Sequence, residues 1–303
     1  MMAKQVRVGL IGAGLMGHGI GRNILEKGHV LTVLAHRNRV PVEDLVRRGA
    51  RELADARAIA AESDVAITCV TGSPQLETVV YGETGLLAGA HGGLTVVDCT
   101  TADPNSTARI AASFEAAGAQ FIDAPLTRTP REAEAGKLAV MVGGDAGVLA
   151  EIRPILECFA DTIVHAGNVG AGHKLKLVNN FLALGAAALV AEGLCAAKKA
   201  GIDMAALEAV VTSGGANSVM FQRLMRLVID DDDSVAQFAI GNAEKDLRYY
   251  TDMTRAMPVT SPLGEAVHQS YLLACAMGKR EQFVPRMVDL MGEINQIRIR
   301  VDG

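Results

Sequence analysis

GLIGAGLMGHGIGRNIL, running from Gly9 to Leu25, decides the fold. The stretch Val6 to Ile11 is apolar apart from Arg7 and Gly9, which predicts a buried parallel strand. Gly12, Gly14 and Gly17 follow at GxGxxG spacing, with Leu15 and Met16 between the last two. In such a turn the first glycine permits the tight reversal. The second lets backbone approach a pyrophosphate, and the third lets the helix pack on the strand. Exposed N–H groups and the helix dipole then favour an anion. Leu15 to Lys27 predicts a helix stopped by Gly28, and Val30 to Leu34 a second strand. A lone glycine triplet is a weak signal, because glycine turns also serve packing. Strand, turn, helix and strand in that order predict a dinucleotide-binding unit.

The residues after the second strand decide which dinucleotide. An NAD site places Asp or Glu there to bind the ribose hydroxyls, whereas a 2′-phosphate is repelled by carboxylate and held by guanidinium. This chain has His36, Arg37, Asn38 and Arg39. The expected cofactor is therefore NADP, with NAD as the alternative.

Further along, Val65 to Val70, Thr95 to Asp98, Gln120 to Asp123 and Leu138 to Val142 read as strands. Helical stretches fall between most of them, around Glu43 to Arg48, Gln75 to Val80 and Ser106 to Ala117. Alternating strands and helices predict a parallel sheet with right-handed crossovers. After about Val164 the pattern becomes helical: Lys174 to Ala200, Met204 to Thr212, Met220 to Val228, Ala243 to Met257, Gly264 to Met277 and Val284 to Ile299. The expected fold class is α/β: a Rossmann-type parallel-sheet domain over residues 1–167, then a long helix and an all-helical domain over residues 168–303. The second domain is assigned to substrate binding and dimerisation. The run Asp230 to Asp233 reads as a solvated loop, since it lacks the spacing of a calcium loop. No metal is expected.

A net charge of −5 offers no basic field for a phosphate backbone, so nucleic acid is not an expected partner. The five cysteines, Cys69, Cys99, Cys158, Cys195 and Cys275, form no CxxC pair, which reads as reduced thiols in the cytoplasm. No targeting segment is recognisable, and the run Phe181 to Ala191 is shorter than a membrane span requires. The helix from Val178 to Ala197 has a composition suited to burial on several sides. That predicts a homodimer or homotetramer.

Lys176 and Asn180 are four apart near the start of the long helix and share one face. The helix dipole and desolvation beside a cofactor both favour a neutral amine there. Such a lysine can give a proton to a carbonyl oxygen as hydride arrives, and take it back in reverse. On pattern alone, lysine and asparagine on a helix face are usually just solvated.

Five segments in order give the pair more weight: Gly9 to Leu25, DCTTADP from Asp98 to Pro104, DAPLTRTPREAEAGKLAVMVGGD from Asp123 to Asp145, GAGHKLKLVNN from Gly170 to Asn180, and FAIGNAEKDL from Phe238 to Leu247. Together they resemble the β-hydroxyacid dehydrogenase family nearly end to end. That family includes 3-hydroxyisobutyrate dehydrogenase, tartronate semialdehyde reductase and sulfolactaldehyde reductase.

The resemblance implies an oxidoreductase moving hydride between NADP(H) or NAD(H) and a small anionic 3-hydroxy acid or semialdehyde. It implies that Lys176 is the general acid/base and that Asn180 holds substrate beside it. It gives Lys245 a place closing over nicotinamide and substrate from the helical domain, with Asp246 as its neighbour. Thr101 would contact the nicotinamide ribose region, and Val70, Thr71 and Leu76 would line the adenosine side. His36 and Arg37 match the Asn-Arg pair of NADP-preferring members. Thr127 replaces the serine that binds the substrate's acid group.

One departure stands out. The family's Ser-Gly-Gly becomes Thr127, Arg128, Thr129. This resembles the Gly-Arg-Thr of sulfolactaldehyde reductases and predicts a substrate with a strong or second anionic group, since Arg binds such groups through paired donors. The alternative is that Arg128 points away into a surface ion pair, with Glu132 as a candidate partner. Lys137 also replaces the threonine of the family's Gly-Thr-Leu. Imine reductases and a cofactor-binding protein without turnover are the competing readings, and the presence of Lys176 argues against both.

Overall fold

The computed structural model describes residues 5–232 and 234–300. The chain divides between Lys176 and Leu177 into two compact units. The first carries β1 (Arg7–Ile11), α1 (Gly17–Glu26), β2 (Val30–Leu34), α2 (Val40–Arg47), β3 (Arg51–Glu52), α3 (Ala56–Glu62), β4 (Val65–Thr68) and α4 (Ser73–Val80). It continues through β5 (Thr95–Asp98), α5 (Pro104–Ala116), β6 (Gln120–Asp123), β7 (Leu126–Thr127), α6 (Pro130–Glu134), β8 (Leu138–Gly143), α7 (Ala146–Leu156) and β9 (Ala160–Gly167).

Among the described residues these strands form one sheet in the order β3-β2-β1-β4-β5-β6-β8-β7, with β9 against β8. From β3 to β6 every pairing is parallel. β4 returns to the far side of β1, so the strand order reverses between these two. Ligands of open α/β sheets bind at such a reversal, beyond the strands' carboxyl ends. Side chains alternate along the strands and feed two cores. Val65, Ile67, Val97 and Ile122 join one cluster with Ile20 and Ile24 of α1, while Ala66, Val96 and Phe121 join the other with Ile59, Ile110 and Phe114. Burial on both faces is why these strands read as continuous apolar runs.

The expected all-parallel sheet needs correction at one edge. β8 runs antiparallel to β6 and to β7, and parallel to β9. β3 and β7 are two residues long, too short to leave a pattern. β9 is mostly half-buried or exposed, so its apolar signal is diluted by Asp161, Thr162 and His165.

α8 (Ala171–Lys199) begins against the sheet and runs on into the second unit. There it joins α9 (Met204–Ser213), α10 (Val219–Asp230), α11 (Ile240–Ala256), α12 (Pro262–Ala276) and α13 (Met287–Ile294). Leu184, Ala187, Ala191 and Leu194 of α8 form one core with Leu224, Leu227, Ile240, Leu247, Tyr271 and Val288. α8 is long and apolar enough to cross a membrane; part of its apolar surface is buried in this core, while Leu182 and Leu189 are exposed. The last helix is shorter than expected. Val284–Arg286 is a 3-10 turn, and Gln296 turns left-handed (φ 53°) so that the Ile297 N–H caps the Gly292 carbonyl. In the acidic run, Asp231 ion-pairs with Arg300 and Asp232 with Arg226; Asp233 lies outside the described residues.

Candidate dinucleotide and substrate site

The glycine turn is shaped by contact at two positions and by space at the third. Gly12 has φ 101°, and a Cβ there would lie 2.3 Å from the Cys69 carbonyl oxygen. A Cβ on Gly17 would lie 2.0 Å from the Gly12 oxygen, so the helix start is pressed onto the turn. At Gly14 a Cβ would meet nothing within 4 Å. The first position is held by backbone strain, the third by packing, and the second by neither, which fits a pyrophosphate lying against it. Leu15 and Met16 lead into α1, whose first N–H groups have no side-chain cap. The His18 and Ile20 N–H groups bond the Gly14 and Met16 carbonyls, and the helix start, with no side chain over it, suits the same anion.

Past β2, His36, Arg37 and Asn38 are exposed. Asn38 accepts a bond from the Val40 N–H at 3.2 Å, closing the turn. The two arginines here differ. Arg39 is committed to Glu52 through two nitrogens, at 2.9 and 3.2 Å, and also faces Glu43. Arg37 makes no ion pair among the described residues, leaving its guanidinium open to a phosphate.

The loop after β4 meets the glycine turn through Cys69 and Val70. The Val70 N–H donates to the Thr100 hydroxyl at 3.2 Å, which joins this loop to the one after β5 that carries Thr101. Thr71 is exposed, whereas Leu76 is fully buried in the core with Ile59 and Val80. Leu76 therefore supports the loop from beneath. Packing and nearby Asp98 push the Cys69 thiol up to about 12, so it stays protonated and unreactive at neutral pH.

In the substrate-motif segment, Thr127 ends β7 half-buried. Arg128 has φ 84°, a conformation that favours glycine and costs other residues about 1–3 kcal/mol. Its guanidinium is held by Asp161 at 2.8 Å, the Thr162 hydroxyl at 3.1 Å and the Lys137 carbonyl. The partner is thus Asp161 of β9 and not Glu132. Glu132 instead forms a capping box with Thr129 at the start of α6, and the Thr129 hydroxyl holds its carboxyl below the usual range.

The turn that carries Lys176 is anchored from β6. Asp123, fully buried, accepts the N–H groups of Gly170 at 2.6 Å and His173 at 2.7 Å, capping α8. Burial pushes its carboxyl above the usual range. The fit is close: a Cβ on Gly143 would lie 2.5 Å from this carboxylate, and one on Gly172 would lie 2.4 Å from the Met141 oxygen. Lys176 follows one turn later and is 9% exposed. Asp123 and His173 carry no signal of their own in the sequence beyond sitting in motif segments.

Within the second unit, the Asn180 amide donates to Asp246 at 2.6 Å, and Asn179 donates to the Asn180 oxygen at 3.2 Å. The Lys245 ammonium lies 3.0 Å from the other Asp246 oxygen, as an ion pair without a directed hydrogen bond, and 5.4 Å from the Tyr249 ring centre. Asp246 is 2% exposed, so it orients Asn180 and Lys245 from below and does not itself face a ligand.

A glycine turn with an open second position, a helix start without a side-chain cap and a strand-order reversal mark a dinucleotide-binding unit. Residues 7–167 match the family profile described as the NAD-binding domain of 6-phosphogluconate dehydrogenase. Residues 170–291 match the one described as NAD-binding of NADP-dependent 3-hydroxyisobutyrate dehydrogenase. The chain belongs to the β-hydroxyacid dehydrogenase family, whose activity is NAD(P)-dependent hydroxyacid oxidation and its reverse. It is 28% identical to 2-(hydroxymethyl)glutarate dehydrogenase of Eubacterium barkeri over 98% of this chain and 99% of that one. It is 30% identical to 3-sulfolactaldehyde reductase of Escherichia coli over 96% of each. Mycobacterium tuberculosis 3-hydroxyisobutyrate dehydrogenase, solved with L-serine, superposes with a TM-score of 0.86 at 25% identity, covering 95% of this chain and 99% of that one.

The two kinds of glycine are separable. Gly17→Ala should lower stability by about 1–3 kcal/mol through overpacking. Gly14→Ala should keep the wild-type Tm yet raise the Kd for NADPH about tenfold or more, by obstructing the pyrophosphate. Thermal melts and a fluorescence titration check both, and wild-type NADPH affinity in Gly14→Ala would remove this turn from the site.

Proposed function

We propose that this protein transfers hydride between NADP(H) and a small 3-hydroxy acid or semialdehyde bearing a strong or second anionic group. The observation that carries the reading is Lys176, set one turn into a helix that Asp123 caps at the carboxyl end of β6. The nicotinamide, when bound, supplies or accepts the hydride. Lys176 donates its proton to the carbonyl oxygen as that oxygen gains charge, and in reverse accepts it from the hydroxyl. Asn180, oriented through Asp246, and Lys245 hold the substrate in place. Thr127 and the backbone up to Thr129 receive its acid group, with Arg128 adding a cation when it leaves Asp161.

Two relatives support the substrate class by name. One acts on a hydroxymethylated glutarate, which carries two carboxylates, and the other on a sulfonated aldehyde. Preference for NADP rests on Arg37. The exposed residues Leu175, Val178, Leu182 and Leu189 lie along α8 at helical spacing, and they support a face covered by a second copy of the chain. The five thiols are unpaired, as a reducing cytoplasm would leave them.

Three measurements test this reading. A screen of small anionic semialdehydes and 3-hydroxy acids should find turnover that Lys176→Ala lowers by about 10²–10⁴-fold. In the same screen Arg128→Gly should raise KM for the anionic aldehyde, and an unchanged KM would confine Arg128 to its pair with Asp161. Arg37→Ala should cut the ratio of kcat/KM for NADPH over NADH by about tenfold or more, the loss of one charge-assisted contact. A wild-type preference for NADH would sink the cofactor assignment. Light scattering should give a multiple of 31.7 kDa, and a concentration-independent monomer would contradict the covered face.

A further inference from the structure

The capped turn of α8 holds a buried imidazole that the proposed chemistry does not use. His173 is fully buried, and both ring nitrogens have partners. Nε2 lies 2.9 Å from the Thr100 carbonyl oxygen, and Nδ1 lies 2.7 Å from the Thr107 hydroxyl of α5. A carbonyl can only accept, so Nε2 donates to Thr100, while Nδ1 pairs with the Thr107 hydroxyl, which also donates to the Asp103 carbonyl at 3.1 Å. The carboxylates facing the ring are Asp98, 3.6 Å from Nε2, and Asp123, 3.8 Å from Nδ1. Asp98 also takes the Thr68 hydroxyl at 2.8 Å and the Thr100 N–H at 3.0 Å. Thr100 in turn accepts the Val70 N–H, beside the glycine turn. A continuous chain of hydrogen bonds therefore runs from the first turn of α8, through His173 and Thr100, to the loop that packs on Gly12.

We infer that His173 is a positioning residue for Lys176. The two are three residues apart, so they leave α8 on nearly the same side, one turn from each other. Asp123 fixes where α8 starts, but two backbone bonds at a helix end leave rotation about its axis poorly determined. The ring supplies the missing constraint by pinning one side of the helix to the loop that precedes Thr101. Lys176 is thereby aimed relative to the strand ends that receive the cofactor. The ring's hydrogen bonds reach the Thr100 backbone and Thr107 only, so it acts by positioning. The inference rests on Lys176 being the acid/base.

The test uses His173→Asn, His173→Gln, Thr107→Val, Lys176→Ala and the double variant His173→Asn/Lys176→Ala, each in the full-length protein. Gln places its amide N–H near the position of Nε2, whereas Asn reaches only as far as Nδ1. His173→Asn should lower kcat by about thirtyfold or more, in line with an ångström-scale misplacement. The Kd for NADPH should stay within about twofold, because neither the glycine turn nor Arg37 bonds the ring directly. His173→Gln should recover kcat to within about fivefold of wild type, and Thr107→Val should show a smaller loss than Asn. The double variant should be no slower than Lys176→Ala alone, the signature of two residues acting as a unit. Wild-type kcat in His173→Asn, no rescue by Gln, or a multiplicative loss in the double variant would overturn the inference while leaving the lysine in place. Undiminished turnover in Lys176→Ala alone would instead overturn the acid/base reading on which it rests.

Discussion

A buried carboxylate at the end of a strand holds the start of a helix, and most of the site depends on it. Asp123 gives up water entirely and is compensated by two helix N–H groups. Leaving a buried N–H without a partner costs about 1–3 kcal/mol, so two satisfied donors bind α8 firmly to β6. Gly143 and Gly172 are small because this contact needs the room. That anchor fixes where α8 starts, one turn before Lys176.

The cofactor side rests on a different principle. There the protein leaves room and charge open: a helix start without a side-chain cap, the space at Gly14, and an Arg37 guanidinium with no ion pair among the described residues. Each would destabilise an interior, but each is tolerable at a surface where water can stand in. Arg39 is locked to Glu52, whereas Arg37 beside it makes no ion pair among the described residues, and the proposed cofactor preference uses that difference.

The central sheet was legible because its strands are buried on both faces and the glycine spacing fixes the turn between the first two elements. Its antiparallel edge was not. β3 and β7 are too short for periodicity, and β9 is too exposed for its apolar residues to stand out. The helical unit was legible as helices, though Val284 to Ile299 splits, since a left-handed Gln296 gives no local warning. Among the proposed site residues, Gly12, Gly14, Gly17 and Arg37 came from pattern, and Lys176 and Asn180 from resemblance. Asp123, His173 and Asp98 could not be singled out, because their meaning lies in hydrogen bonds across 30 to 73 residues of chain. Leu76 and Asp246 show the converse: motif positions whose side chains turn inward to support their neighbours.

At residue 128 the backbone keeps a glycine's shape while carrying an arginine. The turn is therefore a socket whose form is set by its flanks, β7 on one side and the Thr129 capping box on the other. A single codon can change the charge presented there without redrawing the loop, at the cost of local strain alone. Divergence in substrate choice can then proceed at this residue while the buried anchor of α8 and the dinucleotide turn stay as they are.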